Sequence, residues 1–244
     1  MTTSPRVALV TGATRGIGLE TVRQLAEAGV HTLLAGRDRD RAVAAASTLQ
    51  ADGLPVEAIT LDVTDAASIA DAARDIEQRH GRLDILVNNA AILADDPQLG
   101  VAGQSLEAWR STFDTNVFGL IATTQALLPL LRKSEAGRIV NVSSALGSLT
   151  LHQDPASPAY AIKAIPSYNV SKSAVNAWTV HLAHALQDTG IQVNAIHPGA
   201  VKTDGNPNGD LPVAEGAKTG VALALLGADG PTGRFLHFGD VLPW

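Results

Sequence analysis

Along the chain, short runs of consecutive apolar residues alternate with longer stretches in which apolar positions recur every three or four residues. The short runs are Val7-Ala8-Leu9-Val10, Thr32-Leu33-Leu34-Ala35, Ala58 to Val63, Leu83 to Val87, Arg138 to Val142 and Ile191 to Ile196. Short runs this rich in apolar residues predict strands largely buried in the sheet. The periodic stretches predict helices over Leu19–Ala28, Arg39–Ala51, Ala66–His80 with Gly81 closing it, and Ser105–Lys133, bent near Asn116-Val117-Phe118-Gly119. A further helix of about five turns is expected with Ser167 as N-cap and Gly190 as its stop. Strand and helix alternate without an interrupting linker, which implies right-handed crossovers and a parallel sheet with helices on both faces, an α/β arrangement in a single domain over 1–244. Residues 92–103 read as a loop, and the Asn-, Gly- and Pro-rich segment at 204–211 reads as a mobile one.

Composition narrows the functional classes. A chain of 244 residues, 45% apolar, can bury a sizeable core, as one large domain more readily than as two small ones. Eighteen basic residues stand against twenty-four acidic ones, a net charge of −6 with no basic run, which argues against nucleic acid or an anionic membrane as partner. The absence of cysteine excludes disulfides, thiolate metal sites and a cysteine nucleophile. No apolar run approaches the length of a membrane span, and the first strand starts too early to leave room for a signal peptide, so a cytoplasmic location is expected.

The candidate chemistry gathers where strands end. After Val10 comes Thr11-Gly12-Ala13-Thr14-Arg15-Gly16-Ile17-Gly18, a glycine-rich turn between a buried strand and a helix start. That context suits a dinucleotide, because glycines let the backbone approach a pyrophosphate and the helix N-terminus offers free N–H groups. The second strand ends in Gly36-Arg37, with no carboxylate where one would greet ribose hydroxyls. A guanidinium there can bind a 2′-phosphate, and Arg15 can flank it, so NADP(H) is the expected cofactor, with Asp38 the contrary sign. Asp62 either accepts from an adenine amine or caps the helix starting near Asp65. Asn88 and Asn89 can stabilise a turn, while Ala90 and Ala91 leave room for a ribose or nicotinamide. Ser143 and Ser144 end another strand, where a hydroxyl can polarise a carbonyl. Tyr168 and Lys172 lie four apart on one helix face, so a phenol and an ammonium can act on one bound molecule. A competing Tyr160 and Lys163 have the wrong spacing, with Pro166 just beyond.

Taken together, TGATRGIG, Asp62 in LDV, NNAA at Asn88, Asn116, NVSS, YNVSK and HPGAVKT resemble the short-chain dehydrogenase/reductase family over essentially the whole chain. The resemblance implies a Rossmann-type doubly wound sheet and a catalytic tetrad of Asn116, Ser144, Tyr168 and Lys172. It also implies cofactor contacts from Gly12, Thr14, Arg15, Gly16, Ile17, Gly18, Arg37, Asp62, Val63, Asn89 and Ala90, from Tyr168 and Lys172, and from Pro198, Gly199, Val201 and Thr203. The implied reaction is NADPH-dependent reduction of a ketone or aldehyde, with Tyr168 as general acid, Ser144 polarising the substrate, Lys172 holding ribose hydroxyls and Asn116 anchoring a water that relays protons to Lys172. Bringing a phenol from a pKa of ~10 to neutrality takes roughly 4 kcal/mol, for which Lys172 and the oxidised nicotinamide are the available charges. His197, at a strand end beside Pro198, is expected to be structural.

Twenty-four positions separate Ser144 from Tyr168, more than in the family's shorter members. This insertion, 148–166, together with the arginine pair and a tail running to Trp244, resembles the carbonyl reductase branch. Leu93, Leu146, His152 and Trp244 are then pocket candidates, and 203–215 is by position a lid. A 3-oxoacyl carrier-protein reductase or another alcohol dehydrogenase of the family is the alternative within the same chemistry, and an NADP-sensing regulator the alternative outside it. The family implies a homo-oligomer, and the insertion leaves monomer, dimer and tetramer open. No metal is called for.

Overall fold

The computed structural model describes residues 5–244; the expected domain over 1–244 therefore includes four residues, 1–4, outside the described ones. Eight strands form one sheet in the order β3-β2-β1-β4-β5-β6-β7-β8. They are β1 (Val7–Val10), β2 (His31–Gly36), β3 (Val56–Thr60), β4 (Ile85–Asn88), β5 (Arg138–Val142), β6 (Gln192–Ile196), β7 (Phe235–His237) and β8 (Asp240–Val241). Every neighbouring pair is parallel except β7 with β8. The chain builds outward from β1 to β3, then returns to β1 and builds the other way from β4. That reversal opens a crevice at the carboxyl ends of β1 and β4, the usual place for a ligand in such sheets.

Alternate residues of β1 enter different cores, as the pleat requires. Ala8 and Val10 pack with Val22 and Leu25 of α1 (Gly16–Glu27), Leu49 of α2 (Arg39–Ala51) and Val221 of α9 (Val213–Ala224). Val7 and Leu9 pack on the other face with Ile76 of α3 (Ala66–His80), Leu127 of α6 (Leu120–Leu131) and Leu182 of α8 (Pro166–Ala185). A polar tie runs across the floor of the sheet. Asn88 Nδ2 donates to Thr124 Oγ1 and Asn141 Oδ1 at 3.0 and 2.9 Å, and Asn141 Nδ2 donates to Thr179 Oγ1 at 2.9 Å, which joins β4, β5, α6 and α8.

The structure corrects several expectations. The helix expected over 105–133 is three pieces: α5 (Leu106–Phe113), a π-helical segment (Asp114–Gly119) and α6. The bend at Asn116 is thus a widened turn, a feature common at functional sites. Helix α8 starts at Pro166, whose missing N–H suits the first turn, so Ser167 lies inside it and not at its cap; the helix ends at Ala185, before Gly190. Strand β3 stops at Thr60, leaving Asp62 and Val63 in the following loop. A short α4 (Gly100–Gly103) interrupts the loop at 92–103. The insertion folds into α7 (Leu149–Gln153) and a 3₁₀ turn (Pro158–Ala161). The expected lid at 203–215 ends early, because α9 begins at Val213. Among the described residues no helix is long and apolar enough to cross a membrane.

Candidate active site

A cleft of about 1350 Å³ opens along the carboxyl ends of the strands. Of the residues expected to act in catalysis or to touch the cofactor, all border this cleft except Asn116. At one end lies the turn between β1 and α1. Gly12 has φ +61°, and a Cβ there would sit 2.8 Å from Ala90 Cα, so only glycine lets the turn approach β4 this closely. Thr11 Oγ1 accepts from the N–H groups of Asn89 and Ala90, both at 3.0 Å, while Asn89 Nδ2 donates to the carbonyls of Thr11 and Gly12 at 2.8 and 3.1 Å. The Asn89 amide therefore holds the glycine turn in place. No side chain caps the N-terminus of α1, and its first turn carries no acidic residue, which leaves its N–H groups suited to an anion.

Beside that turn stands a basic rim. Arg37 is exposed at the end of β2, and Arg41, one turn into α2, joins it at the cleft. Sequence reasoning missed Arg41, although its spacing from Arg37 carries the signal. Asp38 also borders the cleft; its carboxylate caps α2, accepting from Arg41 N–H at 3.1 Å, and lies 3.4 Å from the Arg41 guanidinium. Arg15 pairs with Asp204 at 2.9 Å, both side chains largely exposed, so the lid is fastened to the glycine turn. The lid is also bonded within itself, through bridges between Val201 and Leu211 and between Thr203 and Asn206. Asp62 does not cap α3, whose cap is Asp65; its Oδ1 accepts from Thr64 N–H and Oγ1 at 2.9 and 2.7 Å while the residue borders the cleft. These features fit a dinucleotide bearing an extra phosphate: a close-approach glycine turn, an open helix start and three arginines.

At the other end, Tyr168 and Lys172 project from α8 beneath Ser144. Ser144 caps a 3₁₀ turn (Ala145–Gly147) and borders the cleft with Tyr168, while Ser143 donates to Asn176 Oδ1 at 2.6 Å and is engaged in packing α8. Burial pushes the phenol up from its usual value, against a smaller downward pull from Ser144. Lys172 is 2% exposed; burial lowers its ammonium to about 8, and Nζ donates to Val142 O at 2.7 Å while lying 5.5 Å from the Tyr168 ring centroid.

Two groups from other elements position α8. Asp95, from the loop at 92–103, reaches across to its N-terminus. Its carboxylate accepts from the N–H groups of Ser167 and Tyr168 at 2.9 and 3.0 Å and from Ser167 Oγ at 2.7 Å. Asn116 clamps Ile92 through both backbone groups, at 2.8 and 2.9 Å, and donates to Ser171 Oγ at 3.1 Å; Ser171 in turn donates to Tyr168 O at 2.7 Å. The Asn116 side chain is therefore engaged in holding the π-helical segment, the β4 loop and α8 together, one step behind the cleft wall.

The insertion contributes Leu151, Pro158, Ala159 and Ile162 to the cleft, along with the expected Leu93 and Leu146. His152 and Trp244 do not border it. The His152 ring lies between Leu146 O at 2.9 Å and Lys163 Nζ at 2.8 Å, which organises the insertion itself. Trp244 stacks on Phe235 with centroids 5.6 Å apart, and its carbonyl accepts from Thr150 N–H and Oγ1. His197 is lowered to about 4 by burial and by His237 beside it, so it is neutral at physiological pH and carries no proton to give as an imidazolium.

A doubly wound sheet with a glycine turn at its switch point and a Ser, Tyr and Lys group at the far end of one cleft defines a dinucleotide-dependent oxidoreductase. A family model described as short chain dehydrogenase matches residues 6–210. Short-chain dehydrogenase/reductase 1 of Saponaria officinalis is 36% identical, covering 98% of this chain and 96% of that one. A (+)-neomenthol dehydrogenase of Capsicum annuum is 32% identical, covering 98% of both. Among solved structures, NADPH-bound carbonyl reductase from chicken fatty liver superposes with a TM-score of 0.86 at 29% identity, covering 99% of this chain and all of that one. The chain belongs to the short-chain dehydrogenase/reductase family and is an oxidoreductase acting on CH–OH and C=O groups.

Proposed function

We propose that the chain, as one domain serving both cofactor and substrate, reduces a ketone or aldehyde to an alcohol with NADPH. The observation that carries this reading is that Ser144, Tyr168 and Lys172 border one cleft, with the Lys172 ammonium 5.5 Å from the Tyr168 ring. When bound, the reduced nicotinamide supplies the hydride. Ser144 donates to the substrate carbonyl oxygen and draws charge onto it. Tyr168 then gives its proton to the developing alkoxide; the upward push of burial keeps the phenol protonated near neutral pH, as a general acid in the reductive direction requires. Lys172 stabilises the phenolate left behind. Arg15, Arg37 and Arg41 select the 2′-phosphate, supported by the engagement of the Asp38 carboxylate in the α2 cap. The carbonyl reductase neighbour is described as NADPH bound, in keeping with this choice.

The test is oxidation of NADPH with a panel of aryl ketones, keto esters and aldehydes, run beside NADH. Charge-assisted contacts to one phosphate are worth about 1.5–3 kcal/mol, so kcat/KM with NADPH is expected to exceed that with NADH by roughly 10- to 100-fold. Tyr168→Phe is expected to lower kcat by about 10²- to 10⁴-fold with an unchanged circular dichroism spectrum. Undiminished turnover in that variant, or a preference for NADH, overturns the reading.

A further inference from the structure

At the edge of the sheet away from the cleft, three side chains converge that the reaction does not use. His31 opens β2, Glu57 lies beside it in β3, and His80 ends α3. His31 Nε2 is 2.9 Å from Glu57 Oε1, His80 Nε2 is 3.8 Å from Glu57 Oε2, and one ligand atom from each residue lies within 4.8 Å of the others. The two imidazoles face each other with centroids 5.1 Å apart. Both Nε2 atoms are buried and neither makes a hydrogen bond, even to the carboxylate between them. A buried ring nitrogen without a partner is costly, and two of them beside one carboxylate form a donor set that a bound cation would satisfy.

We infer that His31, Glu57 and His80 form a binding site for a divalent zinc-class metal ion. Two imidazoles and one carboxylate are a common donor set for Zn²⁺, with a water completing the tetrahedron from the open side. Hard cations such as Mg²⁺ are disfavoured, because they take mainly oxygen ligands. Ligands at ~2.1 Å from one ion lie about 3.4 Å apart, so the widest pair must close by roughly an ångström. His80 is the last residue of its helix and is followed by Gly81 in the left-handed region, which makes that closure a movement of a helix end. Arg79 holds Glu57 Oε2, the oxygen on the His80 side, and is itself held by Asp75, so its charge is offset and Oε1, beside His31, is left to the ion. Metal at this point would staple α3 to the β2–β3 edge.

The test uses tag-free protein stripped with EDTA and titrated with ZnCl₂, following Tm and binding stoichiometry. One ion per chain and a rise in Tm of roughly 5–10 °C at a hundredfold excess over Kd are expected. His31→Gln and His80→Gln should each abolish most of the rise. His181 and His184, exposed three apart on α8, are the competing surface pair, so His184→Gln should leave the rise intact. Circular dichroism of the variants in EDTA checks that they fold; if they do not, tetrahedral Co²⁺ absorption bands of wild type, one ion per chain and unaltered in His184→Gln, decide. No rise in wild type, a rise surviving in His80→Gln, or one lost in His184→Gln overturns the site.

Discussion

Lys172, to which the proposed reaction gives a catalytic part, works against the stability of its own fold. Its ammonium is lowered from 10.5 to about 8 by burial, which corresponds to roughly 3 kcal/mol against folding while the group is charged. The sign follows from proton binding. Between about pH 8 and 10.5 the unfolded chain binds more protons than the folded one, so this group makes stability rise with pH across that window; below it the penalty is complete. Lys172→Met is expected to lower kcat severely yet to match or exceed the wild-type Tm at pH 7, the orphaned Val142 carbonyl offsetting about 1–3 kcal/mol. By pH 10 the comparison should move in favour of wild type. Thermal melts of both proteins at the two pH values check this, and a difference that does not change with pH contradicts it. At this scale much was readable in the sequence: the four-residue spacing that stacks Tyr168 and Lys172 is a local property of a helix. What Ser143 and Ser144 do separately depends on which of them meets α8, and only the fold decides that.

At the scale of elements, α8 is positioned from a distance. Pro166 and Ser167 form its first turn, but the N–H groups that a local cap would satisfy are taken by Asp95, more than seventy residues earlier. A carboxylate at a helix start also opposes the positive end of the helix dipole. Asp95→Ala removes the cap and leaves two buried N–H groups unpaired, so a loss of roughly 2 kcal/mol is expected, about 4–8 °C in Tm. Because Tyr168 N–H is one of the two, kcat should fall together with stability, which distinguishes this loop from a passive connector; a Tm loss with unchanged kcat contradicts it. The sequence made Ser167 the cap because capping signals are read from neighbours, and a partner this distant leaves no such trace. The strands β1, β4, β5 and β6 and the helix α3 with Gly81 were legible for the converse reason, since burial on both faces and a left-handed stop are written locally. Strands β7 and β8, three and two residues long, carry too few residues for any period to show.

In the molecule as a whole, the insertion and the C-terminal residue support one another. Trp244 stacks on Phe235 of β7 and accepts from Thr150, so the far edge of the sheet braces the α7 wall of the cleft although Trp244 does not border it. Trp244→Ala is expected to raise KM for the carbonyl substrate several-fold with a smaller change in kcat and none in cofactor affinity, measured by steady-state kinetics and cofactor titration; an unchanged KM contradicts the bracing role. The polar tie of Asn88, Asn141, Thr124 and Thr179 has the opposite character, since it lies wholly inside and joins two strands to two helices. Apolar neighbours can slide past one another and stay satisfied, whereas the Asn88 and Asn141 amide N–H groups meet these acceptors in one arrangement only. Its consequence belongs to time more than to shape. Amide protons on β4 and β5 should be among the slowest in the molecule to exchange with deuterated water, and those of the lid among the fastest. The mouth of the cleft can then open and shut many times within one lifetime of the floor on which Tyr168 and Lys172 stand.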